Sequence, residues 1–202
     1  VLIADGAMGT MIYQEGVFVN TCFDELNLTK PELIRDIHIG YINAGANFIE
    51  TNTFGANGVK LSRYGLSEHV ETINTAAVEI ARQAVGESNV LIAGSVGPVS
   101  TRAHSYKEIG AERCSVFFSS QMRALCKAGV DFILLETFFD PSELEIAIRS
   151  ARDYSLPVIA EVTMSDDHTQ VSGEPLEEVF EDISGFDNVI AVGMNCSLGP
   201  TG

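Results

Sequence analysis

The chain has 202 residues, 46% of them hydrophobic and 20% charged, which is enough to bury one sizeable core as a single domain. Its 12 basic and 28 acidic side chains give a formal charge of −16, a field that repels phosphate backbones and excludes nucleic acid as a natural partner. No apolar window is long enough to span a membrane, and the four cysteines, lacking a CxxC spacing, read as reduced thiols of a cytoplasmic protein.

Residues 1–4 form the first short apolar run of strand type, and no charged segment precedes them, so no signal peptide is expected and the chain reads as starting inside a longer gene product. Thr29-Lys30-Pro31-Glu32 has the form of a capping box. It predicts a helix with Leu33, Ile37, Tyr41 and Ala44 on one face, stopped by Gly45. Residues 47–49 are a second strand. Val70, Ile73, Ala77, Ile80, Ala81 and Ala84 then recur at helical spacing. After a strand at 90–93, a third helix carries Cys114, Phe117, Phe118, Leu125 and Cys126 and ends at Gly129. The run 132–135 precedes a second capping box, Asp140-Pro141-Ser142-Glu143, with proline at the first helical position. Its helix carries Leu144, Ala147, Ile148 and Ala151. A strand at 158–160, a helix on Leu176, Val179, Phe180 and Ile183, and a strand at 189–192 complete the series.

Six strands alternating with helices predict parallel pairing, in either an open doubly wound sheet or a (β/α)8 barrel. Barrels average about 250 residues, or roughly 31 per unit, so this length holds about six units and predicts an incomplete TIM barrel. Polar residues close nearly every run: Asp5, Glu50, Ser95, Glu136, Glu161 and Asn195-Cys196. A barrel gathers such residues on one rim, whereas an open sheet concentrates its chemistry at one switch point, so the barrel is the expected fold.

Several rim residues can carry chemistry, and each has a plainer alternative. Asp5-Gly6-Ala7-Met8-Gly9-Thr10 is either a tight βα turn or a nest of backbone N–H groups for an anion. Glu136 ends a fully apolar run, so its carboxylate needs a cation, either a ligand or a structural Arg or Lys. Glu50 poses the same choice, and the small polar side chains after it, Thr51, Asn52 and Thr53, suit hydrogen bonding of a polar ligand. Cys196 is either a small hydrophobe or a thiol ligand. His38, His69, His104 and His168 show no metal-site spacing, and no P-loop or dinucleotide fingerprint is present.

Five segments in register resemble the homocysteine S-methyltransferase family: DGAMGTM at 5–11, ETNTFGAN at 50–57, Gly97-Pro98, LLET at 134–137 and GMNCSLGP at 193–200. The likeness includes the amino-terminal domain of cobalamin-dependent methionine synthase and proteins that fuse this module to a methylenetetrahydrofolate reductase. It implies one homocysteine-binding barrel over 1–202, without the carboxyl-terminal units and with further domains possible after it. It also implies zinc at the mouth, held by three cysteines of which Cys196 matches the first. The other two form an adjacent pair downstream that this sequence does not contain. Homocysteine would bind through Asp5, Gly6, Thr53, Glu136 and Asn195, with Glu136 and Cys196 the catalytic residues, and its sulfur would take a methyl group to give methionine. Cobalamin, folate, S-methylmethionine and a betaine are the candidate donors. A noncatalytic fragment acting as an interaction module is the alternative reading, and a phosphate-binding barrel the third.

Overall fold

The computed structural model describes residues 1–18, 20–101, 105–164, 170–171 and 173–196. Three helices precede the first full strand: α1 (Met8–Gln14), α2 (Leu26–Thr29) and α3 (Pro31–Asn43). From β1 (Phe48–Glu50) the chain runs through α4 (Gly58–Ser62) and α5 (Val70–Val85) to β2 (Leu91–Val96). Next come α6 (Tyr106–Ile109), α7 (Ala111–Ala128), β3 (Phe132–Phe138), α8 (Pro141–Ala151) and β4 (Val158–Val162). A short antiparallel pair, β5 (Gln170–Val171) with β6 (Glu174–Pro175), leads into α9 (Leu176–Ser184) and β7 (Val189–Met194).

The main sheet has the order β1-β2-β3-β4-β7, every pair parallel. Spatial order therefore follows chain order without reversal. A doubly wound sheet reverses at its switch point, so the winding is that of a (β/α) barrel. The first expected strand is reduced to one bridge, Ala4 to Phe48, flanked by bonds from the Asp5 and Asn47 N–H groups to the Phe48 and Ile3 carbonyls. Val1, Leu2 and Ile3 are exposed, so no apolar packing holds that segment in a longer ladder.

Strand alternation sorts side chains between the two faces. Ile49, Ile92, Ile133, Leu135, Val158 and Ala160 pack with Val78, Phe118, Leu125, Leu144 and Ile148 of the covering helices in the principal core. On the opposite face, Ala93, Phe132 and Leu134 pack with Phe48 and Ile159. The rings of Phe48 and Phe132 meet edge-on, with centroids 5.4 Å apart. The next in-phase position on each strand toward its carboxyl end is Glu50, Ser95, Glu136 or Glu161. Period two thus delivers all four to one end of the inner face.

The capping expectations need correction. The cap of α3 is Lys30 without a side-chain bond, because Thr29 belongs to α2 and donates its hydroxyl to the Glu25 carbonyl. At α8, Asp140 accepts the Ser142 N–H as expected, but Glu143 does not turn back to the cap. It accepts the Ser100 N–H at 2.9 Å instead, tying α8 to the loop after β2. A complete capping box lies at Ser105 and Glu108 of α6.

Candidate active site at the carboxyl ends of the strands

Asp5 emerges beside β1, and its Oδ2 accepts the Glu50 N–H at 3.0 Å. Its Oδ1 is buried and has no hydrogen-bond partner among the described residues. Gly6 lies against Tyr41, where a Cβ would come within 2.9 Å of the ring. Of the two readings of this segment the structure shows the turn: neither Gly6 nor Gly9 has positive φ, and Gly9 lies inside α1. The segment is the first turn of a helix, whose opening N–H groups have no intrahelical acceptors.

The polar loop after β1 also differs from expectation. Thr53 is fully buried, its hydroxyl donating to the Ser95 carbonyl at 2.7 Å and pairing with Thr51 Oγ1 at 2.7 Å. Thr51 Oγ1 accepts the Ser95 N–H, so the two threonines brace β1 against β2. Asn52 Nδ2 donates to the Phe23 carbonyl, and Gln121 Nε2 to the Thr53 carbonyl. A loop at this depth must satisfy its own backbone, and these side chains are used for that. Thr53 therefore supports the mouth without facing it.

Glu136 is the best-held carboxylate of the rim. Ser95 on β2 donates its hydroxyl to Oε1, and Asn195 Nδ2 donates to Oε2 at 3.2 Å. Asn195 also donates to Thr137 Oγ1 at 3.0 Å and accepts the Thr137 N–H on Oδ1 at 2.9 Å. Thr137 has φ 61° within the register shift between β3 and β4. One amide from the end of β7 thus clamps an irregular, left-handed turn of β3 and its carboxylate together. Cys196 follows directly, also at φ 61° and exposed, and so is not packed in an apolar interior. The rest of its sequence motif, residues 197–200, lies outside the described residues. No Arg or Lys forms an ion pair with Glu136 among the described residues.

Four carboxyl groups share this end of the inner face, and burial raises all four. Burial, with the Glu136 charge, lifts Asp5 to about 7. Burial lifts Glu50 to about 9, helped by Glu136, Asp5 and Glu161. Glu136 is raised by burial against the bonds from Ser95 and Asn195 and the Lys60 charge. Glu161 is raised by burial and by Glu136. Such a cluster binds a cation readily, because an ammonium relieves both the repulsion and the missing hydration. Glu50, Ser95 and Glu161 join the expected residues here; the sequence marked them as strand ends and gave no role to Ser95 or Glu161. Lys60 and Asp24, which have no motif signal, also belong to this end.

For a metal, Cys196 offers a thiol of the kind zinc takes, but among the described residues no three His, Cys, Asp or Glu side chains converge on one point. The other cysteines lie elsewhere: Cys22 and Cys114 are buried, and Cys126 sits on α7. Among the described residues this end of the strands therefore offers one thiol and not a ligand set. No helix among them is long and apolar enough to cross a membrane.

A homocysteine S-methyltransferase family model matches residues 2–202. Among solved structures, the metallated form of the homocysteine methyltransferase MmuM from Escherichia coli aligns with a TM-score of 0.85 at 28% identity, covering 97% of this chain and 74% of that one. The apo form of the same protein aligns at 0.75 and 29% identity, covering 97% and 72%. A GH18 chitinase from Pseudoalteromonas aurantia, at 13% identity and a TM-score of 0.54 over 96% of this chain and 68% of its own, shares the fold alone.

Proposed function

The chain belongs to the homocysteine S-methyltransferase family, and from that premise we propose that residues 1–202 act as its homocysteine-binding barrel unit, transferring a methyl group to the homocysteine sulfur to give methionine. The hydrogen bond from Asn195 to Glu136 carries this reading: it joins the residue beside Cys196 to a half-buried carboxylate that has no ion-pair partner among the described residues. Glu136 and the unpartnered Oδ1 of Asp5 accept the substrate ammonium, while Ser95 and Asn195 hold Glu136 in place. With the amino-acid end fixed, the thiol end extends toward Cys196. The sulfur then attacks the methyl carbon in line; the new S–C bond forms as the donor–carbon bond breaks, and its electron pair leaves with the donor.

Cys196 is the residue of this chain that would hold zinc, which when bound keeps a thiol deprotonated near neutral pH. Among the described residues zinc finds this one thiol. The same observation favours a second reading, a noncatalytic interaction module. One experiment decides between them. The protein is assayed for zinc content and for methionine formation from homocysteine with methylcobalamin, methyltetrahydrofolate, S-methylmethionine or betaine. About one zinc per chain with turnover of one donor supports methyl transfer. Absence of both, with the fold intact, supports the module.

A further inference from the structure

We propose that Thr137 is the positioning residue that makes the mouth specific for an amino group: it fixes the sense of the Asn195 amide, and through that amide the carboxylate of Glu136. The inference rests on the methyl-transfer reading and deepens its ammonium site. Up to Leu135, β3 alternates regularly, with Phe132 and Leu134 on the inner face and Ile133 and Leu135 in the principal core. From there β3 takes three steps to Phe138 while β4 takes two, from Ala160 to Val162. One extra residue of this kind is a bulge, which re-aims side chains and leaves part of the backbone outside the ladder. Phe138 is thereby returned to the principal core, where its ring centroid lies 6.0 Å from that of Phe118. Glu136 and Thr137, consecutive in sequence, both reach the Asn195 amide.

Thr137 grips that amide at two points. Its N–H donates to Oδ1 at 2.9 Å, and its Oγ1 accepts from Nδ2 at 3.0 Å. The other Nδ2 hydrogen is left for Glu136 Oε2, at 3.2 Å. This grip allows one sense only. A backbone N–H cannot accept a hydrogen bond, so an overturned amide would set two donors against each other at Thr137. It would also bring Oδ1 up to the Glu136 carboxylate, replacing a donor by a repulsion. The same grip holds Thr137 at φ 61°, a left-handed conformation that a β-branched residue rarely adopts and that persists only where the surroundings enforce it. Ser95 on β2 donates to the other oxygen, Oε1. Donation to both oxygens favours the charged form of Glu136 against the burial that opposes it, and fixes the carboxylate plane. A primary ammonium then meets an oriented anion. Thr137 acts through Asn195 and Glu136, so its role is one of positioning.

The test compares homocysteine with 4-sulfanylbutanoic acid, which lacks the amino group, by titration calorimetry on the full chain as wild type, Thr137→Val, Thr137→Ser and Thr137→Gly. Wild type is expected to prefer homocysteine by about 30-fold, the strength of a hydrogen bond to a charged group. Thr137→Val keeps the branching and removes the acceptor, so the preference should fall to about fivefold while 4-sulfanylbutanoic acid binds as before. Thr137→Ser keeps the acceptor and should retain the preference of wild type. Thr137→Gly adopts φ 61° without strain but lacks the acceptor. It should melt within a few degrees of wild type and still show the lowered preference, which separates positioning from stability. Undiminished preference in Thr137→Val, with wild type binding homocysteine, would overturn this proposal and leave the methyl-transfer reading standing. Equal weakening of both ligands would assign Thr137 to the frame of the mouth and overturn its role in specificity. Failure of wild type to bind homocysteine would overturn the methyl-transfer reading, and this proposal with it.

Discussion

Asn195 and Glu136, 59 residues apart in sequence, are joined by a 3.2 Å hydrogen bond at the rim. The amide that makes this bond also accepts the N–H of Thr137, so its orientation is set by the backbone. The last strand of the sheet therefore positions the central carboxylate of the site, and the thiol next to Asn195 shares that anchor.

Glu136→Ala should weaken homocysteine binding by about 10- to 100-fold, the loss expected for a hydrogen bond to a charged group. Zinc content should stay at the wild-type level, since Glu136 is assigned to the ammonium. Calorimetry and metal analysis on the same preparation check this; equal loss of both, or of neither, sinks the assignment.

Asn195→Ala removes a donor from Glu136 and the acceptor that holds Thr137 at φ 61°. Turnover should fall about tenfold with KM for homocysteine raised, while the melting temperature drops by only a few degrees. Asn195→Asp should be worse, because it adds a further carboxylate beside Glu136. Should Asn195→Asp outperform Asn195→Ala, the clamp has been misread.

The raised carboxyl groups predict an unusual stability profile. Asp5 at about 7 and Glu50 at about 9 hold protons that the unfolded chain has already released. Stability without ligand should therefore fall as pH rises from about 4 through these values. Glu50→Gln removes the cost of keeping that site neutral, so at pH 8 its melting temperature should exceed wild type by several degrees. Thermal melts between pH 5 and 9 check the slope; a wild-type profile that rises across this range would refute it.

His38 runs the other way. It is fully buried on α3, neither ring nitrogen has a partner among the described residues, and burial lowers it to about 4. Its neutral form stabilises the fold above about pH 6.5, and that contribution, roughly 3 kcal/mol at most, is lost as pH falls toward 4. His38→Leu should leave stability at pH 7 unchanged or higher, since an orphaned polar group disappears, and should reduce unfolding near pH 4.5. Urea titrations at the two pH values measure the difference.

Sequence alone carried the architecture a long way. Runs such as 132–135 and stripes such as that on Val70 and Ile73 depend on neighbours in the chain, so periodicity places them and winding follows from their alternation. The family likeness likewise drew attention to Asp5, Glu136 and Cys196. What sequence could not decide were contacts between distant segments. Thr53 looked like a ligand group, but the buried carbonyl of Ser95 needs its hydroxyl. Glu143 looked like half of a capping box, but the Ser100 N–H from another loop takes it. The same holds for the clamp of Asn195 on Glu136 and for the placement of the Lys60 ammonium over Phe54. A polar side chain bonds to whatever unsatisfied group folding brings within about 3 Å, and only the tertiary arrangement determines which group that is.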